Sequence, residues 1–198
     1  MLFVGGSLSS SLHAIEESKI STFMQTNIDH ATTILRDKNL QKEERSKQIF
    51  TIFDTIFDYE LMAQLSLGSK QWSLLDTAKQ SEFTHLFEQK LKHSYMNKLD
   101  LYTDEKIVIK NIEKIKNTRI HLTTHLMKNN EVYEIVYKFY KNKQNDWRIY
   151  DVDILGVSII QTYRTQFADI LAKSPFENLL AKLQEPEEKE DENVSKKR

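Results

Sequence analysis

"WRIYDVDILGVSIIQTYRTQF", residues 147 to 167, carries two periodicities on either side of one glycine. Before Gly156, Tyr150, Val152 and Ile154 share one parity, and Asp151 and Asp153 take the other. Alternation of this kind marks a half-buried strand. After Gly156, residues Val157, Ile160, Tyr163, Phe167, Ile170 and Leu171 recur at helical spacing. The stretch therefore predicts a strand that passes through one glycine straight into an apolar helix.

Upstream, the same period-two pattern repeats. "KIVIKNIEKI" (106–115), "RIHLTTHLM" (119–127), "EVYEIVYKFYK" (131–141) and "DWRIYDVDI" (146–154) read as four strands. Asn129-Asn130 tolerates positive φ and suits a hairpin turn, and "NKQND" makes another connection. Hairpin-linked neighbours give an antiparallel sheet with one packed face. Ile120, Leu122 and Leu126 share a face, as do Tyr133, Ile135, Tyr137 and Phe139.

The first half is helical by spacing. Residues 15–35 carry Ile20, Phe23, Met24, Ile28, Ala31, Ile34 and Leu35. A second stripe, Ile49, Phe50, Ile52, Phe53, Ile56 and Phe57, precedes a short helix near Tyr59 that Gly68 stops. Thr77 and Gln80 have capping-box spacing before a long helix with Phe83, Leu86, Phe87, Leu91, Tyr95 and Leu99 on one face. Ser174, Pro175 and Glu177 open a last short helix. The expected class is α+β, with helices packed on one face of a four-stranded antiparallel sheet.

The 198 residues suffice for one domain with a core, expected over 15–183. Hydrophobic residues make up 39% and charged residues 29%, a soluble, folded balance with no apolar run long enough to span a bilayer. The N-terminal "MLFVGGSLSSSLHA" (1–14) reads as the remnant of a signal peptide or as a disordered leader. Residues 184–198 are charged and are expected to be a disordered tail. Net charge is −1, which argues against nucleic acid. It is uneven, however. Between Lys106 and Arg148 lie Lys106, Lys110, Lys114, Lys116, Arg119, Lys128, Lys138, Lys141, Lys143 and Arg148, against Glu113, Glu131, Glu134 and Asp146. Outward strand positions account for such a bias; so would an anionic partner.

Catalytic patterns are missing. Cysteine is absent, which removes disulfides, thiolate metal sites and thiol nucleophiles. No glycine-rich phosphate loop occurs, and Gly156-Val157-Ser158 lacks the elbow of a hydrolase nucleophile, leaving Ser158 to helix entry. His121 and His125 share a parity opposite the apolar one and lack a third ligand nearby. Asp151 and Asp153 suit a solvated face or a bond to a neighbouring turn better than acid–base work. What remains is an excess of rigid apolar surface: ten Phe, eight Tyr and two Trp, compatible with an apolar ligand pocket.

Two stretches carry a family likeness. "FDYELMAQLSLGSKQWSLLDTAKQSEFTHLFEQKLKHSYMNKL" (57–99) joins Phe-Asp-aromatic, Met-Ala, Leu-Gly, a Trp and a Thr-x-x-Gln helix. The opening stretch adds Trp-Arg-Ile-Tyr-Asp-Val, Gly-Val-Ser and Tyr-Arg-x-Gln-Phe. In that order, the chain resembles the MlaC, or toluene-tolerance auxiliary, family of periplasmic phospholipid-binding proteins. Leu155 stands where that family usually has an acid.

The resemblance implies a nuclear-transport-factor-2-like (NTF2-like) cone with an internal apolar cavity. It implies a periplasmic carrier that shuttles glycerophospholipid and so maintains outer-membrane lipid asymmetry. The expected partners are an outer-membrane lipoprotein–porin complex and an inner-membrane ABC transporter bearing an MCE-domain protein. No catalysis, metal or cofactor is implied beyond bound phospholipid as cargo. On this reading the helices would line the acyl cavity with Phe53, Phe57, Leu61, Phe83, Phe87, Leu91 and Tyr95, then Val157, Ile160 and Tyr163. The sheet would add Leu122, Tyr133, Ile135, Tyr137, Phe139, Val152 and Ile154. Arg148 and Arg164 are the head-group candidates. The alternative is the same cone as a scaffold or dimerisation module with a filled core. An enzyme on that cone would need Asp151 or Asp153 pointing inward.

Overall fold

The computed structural model describes residues 14–99 and 105–185, without the side chains at 97 and 98. The expected leader (1–14) and tail (184–198) lie outside the described residues except for Ala14, Gln184 and Glu185, and Gln184 still belongs to the last helix.

The chain begins with a helical layer: α1 (Ile20–Arg36), α2 (Lys42–Asp54), α3 (Tyr59–Leu67), α4 (Ser69–Trp72) and α5 (Thr77–Leu99). Ile20, Met24 and Ile28 on α1 are buried at helical spacing, and Ala31 and Ile34 close on Ile49 of α2. The apolar stripe expected to run helically to Phe57 is cut short. Helix α2 stops at Asp54, and residues 56–58 form a parallel bridge instead. Ile149 N–H donates to the Ile56 carbonyl at 2.9 Å, and Asp58 N–H to the Ile149 carbonyl at 2.9 Å. Asp58 also caps α3, accepting from Leu61 N–H at 2.8 Å. The cap of α5 is Asp76, which accepts from Lys79 N–H at 2.8 Å. Gln80 therefore does not close a capping box with Thr77; its amide donates to the Trp72 and Leu75 carbonyls. Helix α7 (Phe176–Gln184) is preceded by Pro175 without a side-chain cap.

The sheet runs β1 (Lys106–Lys116), β2 (Arg119–Lys128), β3 (Glu131–Lys141), β4 (Trp147–Ile154) and β5 (Val157–Ser158), antiparallel and in sequence order. The α+β class is as expected, but the sheet has five strands rather than four. The added strand comes from the opening stretch. Leu155 and Gly156 both take positive φ, +53° and +78°, and fold the chain back tightly. Val157 and Ser158 then pair with Ile154 and Asp153 before α6 (Ile159–Leu171) begins. Gly156 thus turns a hairpin rather than opening the helix. Ser158 enters α6 as its N-cap, accepting from Gln161 N–H at 3.0 Å.

A second departure lies at the start of β4. The register shifts beside Lys138 and Phe139, which face Asp151 and Ile149. Tyr150 is the extra residue of a bulge, so Ile149 joins the core face and Tyr150 turns away from it. The expected parity of Tyr150 with Val152 is broken there. Asp151 lies just after the bulge, 5% exposed. It accepts from the Ser158 hydroxyl at 2.7 Å, from Val152 N–H at 2.9 Å and from Ile160 N–H at 3.2 Å. Lys138 Nζ sits 2.9 Å from Asp151 and 2.6 Å from Asp153.

Two stability changes follow. Leu155→Asn, which suits positive φ, raises the unfolding free energy by about 1 kcal/mol in urea titration. Asp151→Ala strands Lys138 and the α6 entry and lowers it by about 3 kcal/mol; a loss no larger than that of a surface control removes the network from the account.

Candidate functional site

The register of β2, β3 and β4 sorts the core face of the sheet into rows. Ile120, Phe139 and Ile149 form the first, Leu122, Tyr137 and Val152 the second, and Thr124, Ile135 and Ile154 the third. Leu126 and Tyr133 make a fourth on β2 and β3. Burial falls along this series. The first row is sealed, with Phe139 and Ile149 at 0% exposure. In the second, Leu122 and Val152 are buried and Tyr137 is half-buried. In the third, Thr124 is fully buried but Ile135 and Ile154 are half-buried, and in the fourth so are Leu126 and Tyr133. On β1, Ile109 and Ile107 extend the third and fourth rows and are half-buried too.

One end of the sheet–helix interior is therefore sealed, and at the other, the open end, the apolar side chains set around the buried Thr124 are only partly covered. Desolvation is felt inside it. Burial pushes the Tyr137 hydroxyl up from its ordinary range, with the Thr124 hydroxyl bonded to it pulling the other way.

The helical wall divides in the same manner. Phe83 and Phe87 are fully buried in a ring cluster. Phe83 meets Phe167 edge-on at 5.7 Å, and Phe87 meets Tyr163 edge-on at 5.2 Å. Leu91 and Ile160 are also buried. Tyr95 and Tyr163 are half-buried, and the Tyr163 hydroxyl lies 3.1 Å from the Ser94 hydroxyl, joining α5 to α6.

The remaining expected residues lie elsewhere. Phe53, Phe57 and Leu61 are half-buried on the α2–α3 side, where Phe57 stacks on Tyr59 at 5.8 Å. Val157 is 60% exposed beside the Leu155–Gly156 turn. The Tyr133 hydroxyl donates to Glu131 at the surface.

Both head-group candidates are placed by local contacts. Arg148 sits at the closed end, its Nε 2.6 Å from Asp146 and its Nη1 donating to the Thr55 carbonyl. Arg164 is exposed on α6 and lies over Gly68, where an added Cβ would meet its guanidinium at 3.9 Å. Two surface grooves lie away from the open rows. One, of about 420 Å³, runs between α5 and α7, with Leu86, Lys90, His93 and Leu183 among its walls. The other, of about 320 Å³, lies between the start of α1 and β1.

The sequence reading passed over Ile107, Ile109 and Thr124. The parity of "KIVI" held the first two, and the place of Thr124 between Leu122 and Leu126 held the third. Chemistry beyond apolar contact is sparse. Among the described residues no three His, Asp or Glu side chains gather as a metal site, and no helix is long and apolar enough to cross a membrane. His125 and Glu134, 3.6 Å apart, lie on the opposite sheet face from these rows.

The family model described as "MlaC protein" matches residues 25–185. The chain belongs to the MlaC family. The intermembrane phospholipid transport system binding protein MlaC of Haemophilus influenzae is 25% identical over 154 residues, which are 72% of each chain. The phospholipid-binding protein from Ralstonia solanacearum, solved in complex with a phospholipid, superposes with a TM-score of 0.70 at 21% identity. That alignment covers 82% of this chain and 93% of the other, so the two share a fold.

The two ends of the interior respond differently to truncation. Phe83→Ala in the closed cluster lowers the urea unfolding free energy by about 4 kcal/mol, and Ile135→Ala at the open end by about 1 kcal/mol. Equal losses at both sites would contradict the gradient.

Proposed function

We propose that the protein is a glycerophospholipid carrier whose acyl chains lie against the open rows of the sheet, beneath α5 and α6. The observation that carries this reading is the incomplete cover of the apolar side chains in the third and fourth rows: around the buried Thr124, Ile107, Ile109, Leu126, Ile135 and Ile154 are each only partly buried. MlaC membership supports it, as does the phospholipid held by the Ralstonia neighbour of the same fold. The fold is read as an NTF2-like cone, with the cavity opening at these rows on loading. The carrier works in the periplasm between an outer-membrane lipoprotein–porin complex and an inner-membrane transporter with an MCE-domain protein, and so sustains lipid asymmetry.

The energetics fit a carrier rather than a catalyst. Each acyl methylene withdrawn from water contributes about 0.8 kcal/mol, and two chains give a gross term on the order of 20 kcal/mol before ordering costs. Escape into water is then very slow, and release needs a continuous apolar path. The phosphate stays at the mouth, because an unpaired buried charge is costly. Arg164, with no ion pair among the described residues, is free to meet it; Arg148 would first have to leave Asp146. A filled-core scaffold is the second reading, favoured by the closed Phe83–Phe87–Phe167 cluster.

Solvent extraction of the purified protein followed by mass spectrometry distinguishes the two. The carrier reading expects bound glycerophospholipid, and expects Ile135→Trp to lower loading by about half or more while the protein stays folded. Protein that holds no lipid as purified, and takes none from vesicles, would leave the scaffold.

A further inference from the structure

The basic bias of the sheet has two origins. Along β1, an edge strand, Lys106, Lys110 and Lys114, the last paired with Glu17 at 2.9 Å, protect an unpaired backbone edge. A separate group gathers where the strands turn at the closed end. The β1–β2 turn brings Lys116 and Arg119, and the β3–β4 turn brings Lys141 and Lys143. Lys141 N–H donates to the Thr118 carbonyl at 3.2 Å, joining the two turns. None of these four cations has an ion pair among the described residues. Two carboxylates at this end, Asp58 and Asp146, are already engaged, while Glu113, on the neighbouring stretch of β1, faces His121. Asp58 accepts from the Tyr140 hydroxyl and from Leu61 N–H, and Asp146 holds Arg148 and accepts from Ile15 N–H at 2.7 Å.

At the centre of the group, the Arg119 guanidinium lies over two rings, 5.1 Å from Tyr150 and 5.4 Å from Tyr140. The rings meet edge-on at 6.0 Å. Tyr140 is fixed from behind by Asp58. Tyr150 is the bulge residue, and only the bulge brings it beside Tyr140; unbroken alternation would have put it on the core face. Its hydroxyl has no hydrogen-bond partner among the described residues. The result is an arginine held by two aromatic rings and by a 2.9 Å bond from its Nη1 to the Thr118 carbonyl, with no carboxylate partner among the described residues, on the same two turns as Lys116, Lys141 and Lys143. Tyrosine and arginine are the side chains on which protein interfaces concentrate their energy, and a stacked guanidinium offers a directed fork to carboxylates. The fork fits phosphate too, but the paired tyrosines around it are the side chains of a protein interface, which a bilayer surface does not require.

We propose that this Arg119–Tyr140–Tyr150 platform docks an acidic segment of a partner protein, with its carboxylates on Arg119 and the flanking lysines. The test uses the full chain and a fluorescein-labelled glutamate-rich peptide, read by anisotropy at low and high salt. Arg119→Glu and Lys141→Glu are each expected to weaken binding about tenfold, and Tyr150→Ala about threefold. Lys47→Glu on α2 changes net charge equally and is expected to leave binding unchanged. If the Arg119 reversal unfolds the protein, Arg119→Gln carries the same expectation, with a loss of about fivefold. Equal weakening by Lys47→Glu and Arg119→Glu reduces the effect to net charge and overturns the proposal. Tighter peptide binding after removal of residues 186–198 also overturns it, by making the chain's own acidic terminus the occupant. Arg119-dependent binding to phosphatidylglycerol vesicles, with no binding to the peptide, overturns it in favour of a lipid surface.

Discussion

The Asp151 carboxylate takes hydrogen bonds from the Ser158 hydroxyl and from the backbone of Val152 and Ile160, and it pairs with Lys138. A buried carboxylate is costly unless every lone pair is used, and here the donors come from three elements at once. Lys138 belongs to β3, Ser158 to β5 and Ile160 to the first turn of α6. The carboxylate therefore fixes where the closing helix leaves the sheet. That exit decides where Tyr163 and Phe167 lie, and with them the ring contacts to Phe87 that join α6 to α5. The β4 edge is covered by the same arrangement: residues 56–58 bridge to Ile149, and β5 pairs with its end.

With α6 held in this way, the interior cannot be uniform. The twisted sheet meets the helices closely at the Ile120–Phe139–Ile149 row, and Trp147 beside it is fully buried. Away from that row cover thins, and the apolar side chains of the third and fourth rows are left half-exposed. Packed rows supply most of the stability, since each lost methylene there leaves a void. Loosely covered rows contribute less, so they can exchange protein contacts for other apolar contacts at small net cost. Thr124 and Tyr137 pair their hydroxyls within the sheet, so the apolar rows carry no donor pointing at empty space.

Much of this was legible in the chain. Period-two parity gave four strands and the rows on β2 and β3, because side-chain alternation is a local property. Helical spacing gave Ile20, Met24 and Ile28, and likewise Phe83 and Phe87. The failures have identifiable causes. The β4 bulge carries no glycine or proline, so nothing in "WRIYD" announces that Tyr150 and Asp151 fall on one side. Strand β5 is two residues long, too short for any periodicity, and its turn uses Leu155 at positive φ, where asparagine or glycine would have marked a hairpin. Asp76 outcompeted Thr77 as a cap because its carboxylate reaches Lys79 N–H, setting the helix entry one residue earlier. The gradient from closed to open was invisible, since parity tells which face is inward but not how well it is covered.

The open rows and the Arg119 platform lie at opposite ends of the same strands. Strand β3 runs from Glu131 to Lys141, eleven residues, or about 35 Å of extended backbone. Tyr133 and Ile135 stand near one end, and Tyr140 near the other. A protein held at the platform would leave the apolar rows uncovered, so the proposed lipid site and the proposed docking platform do not compete for one surface. The two ends are nonetheless mechanically joined. Tyr140 bonds Asp58, Asp58 caps α3, and Gly68 at the end of α3 lies under Arg164 of α6. The platform is thus tied by side-chain bonds to the helical layer at the start of α3 as well as to the sheet.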